Sequence, residues 1–72
     1  MIKLLNEYDV GLNPNDTIVS SILANKCYTD DIDAVSMVIK AYDLEQAKEL
    51  YKLEFDKRFG LKLHSSEIIA RR

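Results

Sequence analysis

One cysteine, one histidine, one proline, two glycines and no tryptophan occur among the 72 residues. Each scarcity excludes something. With Cys27 alone, no internal disulfide can form. His64 lies far along the chain from that thiol, so a four-ligand structural zinc site lacks its ligands. Two isolated glycines cannot build a phosphate-cradling loop or a dinucleotide-binding turn. No apolar run approaches the roughly 18–20 residues that span a bilayer as a helix. The N-terminal stretch turns acidic at Glu7, too early for a secretory signal, and a lone cysteine suits a reducing compartment. These features lead us to expect a cytoplasmic protein.

What is present is a globular composition, 47% hydrophobic and 31% charged. The length fits one domain, residues 1–72. A chain this short buries only about 60–65% of its unfolded surface. Without a disulfide or metal to staple it, stability must come from helix packing, oligomerisation or both. The net charge of -2 is too small to imply a nucleic-acid or membrane partner. The charge is unevenly placed, with seven acids against three bases in residues 1–43 and five against seven in residues 44–72. Ordinary solvated faces account for this, although two copies could also attract end to end.

Periodicity predicts an all-α fold of three main helices with short terminal elements. Asn13 can cap a helix over residues 14–27 that begins with Pro14 and carries Ile18, Val19, Ile22, Leu23 and Cys27. Thr29 caps the next, with Asp30, Asp31 and Asp33 in its positive first turn. Its stripe of Ile32, Val35, Val38, Ile39 and Tyr42 makes residues 32–42 the expected central helix. Asp43 and Gln46 have capping-box spacing for a third helix over residues 44–59, stopped by Gly60. Leu44, Ala47, Tyr51, Phe55 and Phe59 form its apolar stripe. Residues 1–8 read as a short helix or a strand, the helix being preferred, and residues 2–4 could pair with residues 61–63. A final short helix over residues 67–71, capped by Ser65 or Ser66, is the preferred reading of the C-terminus. Residues 43–51 resemble the second helix of a tetratricopeptide-type hairpin over nine positions. The repeat's period is absent, so no family follows from it.

The chemistry-bearing residues all have plain structural explanations. His64 neighbours Ser65, Ser66 and Glu67, but adjacent residues rarely align a nucleophile, its base and an orienting group. Asp30, Asp31 and Asp33 lack the spacing, glycine and closing glutamate of a calcium loop. Cys27 lies on an apolar stripe and Tyr42 and Tyr51 on others, where burial is expected. We therefore expect no enzyme, no catalytic residue, no cofactor, no metal and no small-molecule substrate.

Leu50 and Leu53 fall off the main stripe of the third helix, and Met37 falls off that of the second. Together with Lys57 they form the expected partner-binding set, a surface for a protein partner or a second copy. The expected function is a non-enzymatic protein-interaction module of the inhibitor, adaptor or assembly-factor type. The alternative is a helix-turn-helix DNA binder using the basic C-terminal half. Three aspartates at the start of its recognition helix would repel phosphate, which places it second.

Overall fold

The computed structural model describes residues 4–72. It overturns the all-α expectation: two helices pack on one face of a three-stranded antiparallel sheet, an α+β fold. The strands are β1 (Asn6–Leu12), β2 (Met37–Ala41) and β3 (Ile68–Arg71), ordered β2-β1-β3. The helices are α1 (Val19–Lys26) and α2 (Leu44–Phe59).

Strand β1 alternates cleanly. Tyr8, Val10 and Leu12 are buried against the helices, while Glu7 and Asp9 point to the open side. The register places Tyr8 beside Ile39 and Val10 beside Met37 on the helical side. Glu7 faces Lys40 and Asp9 faces Arg71 on the open side, so each acid has a base directly across. Opposite charges in that relation favour the register and suit a solvated face.

The expected central helix is the main correction. Residues 32–42 form a 3₁₀ turn, Ile32–Val35, followed by β2. Short apolar runs fit both helical and strand periods, and here β-branched Val38 and Ile39 favour the extended form. Met37, Ile39 and Ala41 face the helices, leaving Val38 and Lys40 outside. The C-terminal segment departs in the same way. Residues 65–67 make a 3₁₀ turn, and Ile68 and Ile69 open β3 instead of a helix. Residues 61–63 form no strand, and the pairing expected for residues 2–4 lies partly outside the described residues.

Helix α1 is shorter than its periodicity implied. The Asn13 side chain accepts from the Asn15 N–H at 3.0 Å, and that of Asp16 accepts from the Ile18 N–H at 2.9 Å. These local turns consume the N–H groups an earlier helix start would use, so the helix begins only at Val19. It ends with Tyr28 in the left-handed region (φ 55°), while the Thr29 N–H reaches the Leu23 carbonyl at 3.1 Å.

Helix α2 runs as its caps dictate. Asp43 accepts from the Gln46 N–H at 2.7 Å, and Gln46 Oε1 accepts from the Tyr42 N–H at 2.7 Å. Gly60 terminates the helix at φ 68°, donating to the Asp56 carbonyl at 2.7 Å. Ala47, Tyr51 and Phe55 are buried, and Phe59 packs against them at the margin. Leu44, at the exposed start of the helix, is the one member of the stripe left largely in solvent. The core is completed by Val19, Ile22 and Leu23 of α1, and by Val35, Leu63 and Ile68.

Candidate interaction surfaces

Three surface features emerge from this arrangement: the outward side of α2, the free edge of β2, and a groove on the open sheet face. Because Ala47, Tyr51 and Phe55 turn inward, helical spacing turns Leu50, Leu53 and Lys57 outward together. Leu50 retains 40% of its surface in solvent and Leu53 68%, the latter as exposed as a surface lysine commonly is. Lys57 is exposed and makes no ion pair among the described residues. Neighbouring charges are engaged locally, with Lys52 on Glu49 at 3.1 Å and Arg58 on Glu54 at 3.0 Å. Lys52 also donates to Ser65 Oγ at 3.2 Å, which ties the helix to the 65–67 turn. A shallow depression lined by Glu49, Lys52, Leu53, Asp56, Lys62 and Leu63 lies alongside.

Met37 does not join that surface. It sits on β2, half-buried on the helical side of the sheet, and packs against the core margin. Of the four residues singled out in the sequence, three therefore share one helix face and the fourth lies at the sheet edge.

The open sheet face carries a groove of about 420 Å³ centred on Gly11. Asp33 and Ser36 stand on one side, Ile69 and Arg71 on the other, with Asp9 along the floor. Gly11 meets Ser36 closely there. A Cβ at that position would lie 2.6 Å from Ser36 Oγ, which itself donates to the Ile32 carbonyl at 3.3 Å. The sequence did not reveal this groove. The alternation of residues 7–10 is its available signal.

The remaining chemical groups are occupied structurally. His64 is exposed, and its backbone N–H donates to Glu67 Oε1 at 2.7 Å. That bond gives the buried Glu67 carboxylate a partner, as a charge removed from water requires. Asp31 accepts from the Asp33 N–H at 3.0 Å, and Thr29 Oγ1 from the Asp31 N–H at 3.0 Å. Among the described residues, no group of three or more His, Cys, Asp or Glu side chains could hold a metal ion. Cys27 lies against the core, and burial pushes its thiol pKa up, which lowers the reactive thiolate fraction. Tyr51 is fully buried, and its hydroxyl donates to the Val35 carbonyl at 2.8 Å. Burial, and secondarily the neighbouring Cys27, push its pKa far above the usual phenol value, while Arg58 opposes this.

No helix among the described residues is long and apolar enough to cross a membrane. The helix-turn-helix outline also disappears, because the segment that would be its recognition helix is the 32–35 turn and β2. No protein-family model, curated protein or solved structure matches the chain.

Proposed function

We propose that this chain is a non-enzymatic protein-interaction module of the inhibitor, adaptor or assembly-factor type, acting through the outward side of α2. The observation that carries the reading is the exposure of Leu53, with Leu50 one turn away and Lys57 one turn beyond. An apolar ridge on a rigid helix is a common way to engage a partner groove. Lys57, without an ion pair among the described residues, suits a partner that presents a carboxylate beside its apolar contact. The reading needs no cofactor, metal or small-molecule substrate. A cytoplasmic location is part of the proposal, supported by the single unpaired thiol.

Leu53→Asp tests it. At so exposed a position the substitution should change stability by less than about 0.5 kcal/mol. Circular dichroism and thermal melting should therefore match wild type. Used as paired baits, wild type should retain a protein that the variant loses. A folded variant that retains the same proteins as wild type contradicts the reading, as does a variant that unfolds because Leu53 was core.

A further inference from the structure

The sheet has two edges, and they are not equivalent. On β3 the core-side residue Ile68 is already buried, leaving only small Ala70 beside it at intermediate exposure. On β2 the core-side residues Met37 and Ile39 are both half-buried, although they pack against the core. Val38 on the opposite face keeps 64% of its surface in solvent. Among the described residues β2 pairs only with β1, so the backbone groups of its outer edge have no strand partner. Edge strands commonly discourage pairing with proline, bulges or several charges, and β2 carries only Lys40.

We infer that β2 is a self-association edge, pairing antiparallel with β2 of a second copy about a two-fold axis at Ile39. The register centred on Ile39 is the one that pairs all five residues of the strand. With Ile39 opposite its own copy, Met37 lies opposite Ala41 and Val38 opposite Lys40. No like charges then oppose one another, and the Lys40 stem lies over Val38. The axis runs perpendicular to the sheet, so the helices of both copies lie on the same side. Met37, Ile39 and Ala41 of the two chains then form one apolar strip beneath them. Shifting the register by one residue would bring core-side residues opposite outward ones, and Lys40 opposite Ile39. The dimer would be a continuous six-stranded sheet with an isologous interface. This inference rests on the β2 edge and not on the α2 surface proposed above.

Light scattering from low micromolar to about 1 mM provides the test. Wild type should move toward twice the 8.3 kDa chain mass as concentration rises. Val38→Lys sets lysine against lysine twice across the two-fold axis, while gaining Asp9 as its neighbour within the chain. It should remain folded and weaken the dimer by about tenfold or more. Lys40→Glu together with Glu7→Lys, added to that variant, should restore association by re-pairing opposite charges across the axis while keeping positions 7 and 40 oppositely charged within each chain. Concentration-dependent slowing of amide exchange in β2 but not in β3 supplies a readout on the unaltered chain. A wild type that stays monomeric throughout overturns the inference. So does a dimer that Val38→Lys leaves intact, or one that dissociates with Leu53→Asp instead.

Discussion

At the scale of single residues, the tightest constraint is the meeting of Gly11 and Ser36. A Cβ at position 11 would come within 2.6 Å of Ser36 Oγ, the end of a short side chain just after the 32–35 turn. The serine can rotate away, at the loss of its bond to the Ile32 carbonyl. Gly11→Ala should therefore destabilise by about 1 kcal/mol, the typical worth of a hydrogen bond plus modest crowding. With Ser36→Ala added, the bond is lost only once and the crowding falls to Ser36 Cβ at 3.4 Å, so the double variant should be less destabilised than the sum of the two single variants. Denaturant titration of the two single variants and the double variant would measure the coupling. Strictly additive effects would mean that the two side chains do not meet. Nothing in the sequence alone could have paired residues 11 and 36, because that contact depends on the sheet register.

At the scale of elements, legibility followed local chemistry. Helix α2 was readable to its ends because Asp43, Gln46 and Gly60 fix its termini by bonds within a few residues. Strand β2 was not, because Val35, Val38 and Ile39 satisfy either period and only pairing with β1 decides between them. The same ambiguity hid β3, where two isoleucines precede a basic end that equally suits a helix C-terminus. For α1 the expected stripe holds at Val19, Ile22 and Leu23, while Ile18 is exposed ahead of the helix, whose start is later than expected because Asp16 takes the Ile18 N–H. The three residues grouped on the outward side of α2 were legible for the reason the helix itself was. Met37 was misplaced with the strand that carries it.

The link between elements can be tested at Tyr51, which joins α2 to the 32–35 turn through its bond to the Val35 carbonyl. Tyr51→Phe leaves that buried carbonyl without its donor and should cost about 1–3 kcal/mol at neutral pH. The pH dependence has a definite sign. Burial raises the Tyr51 pKa in the folded chain, so the neutral phenol contributes its stability below the unfolded-state value of about 10. Above that, the unfolded chain ionises first and stability falls as pH rises toward the folded-state value. The phenylalanine variant should lack this part of the alkaline loss, visible as a smaller decline in thermal midpoint above pH 10. Parallel declines in both proteins would place the alkaline sensitivity elsewhere.

For the molecule as a whole, extents of 45 × 23 × 18 Å allow one layer of helix on one sheet and no second covering layer. One sheet face, two strand edges and the outer side of α2 are consequently left to solvent. The open sheet face answers this with opposed charges, Glu7 with Lys40 and Asp9 with Arg71. The outer side of α2 does not, since Leu50 and Leu53 remain there. Composition foretold this much: a chain with no disulfide and so little interior has apolar residues beyond what its own core can cover. It could not say which surfaces would hold them, because that required knowing that residues 37–41 turn into a sheet edge.

The most direct measurement is site-specific photo-crosslinking in the source cells, with Leu53→p-benzoylphenylalanine compared against the same replacement at Ser20, an exposed position on α1. The account predicts a discrete covalent adduct with another protein from position 53 and none from position 20. Equal labelling at both positions, or no adduct at position 53, would contradict a protein-binding role for the outward side of α2.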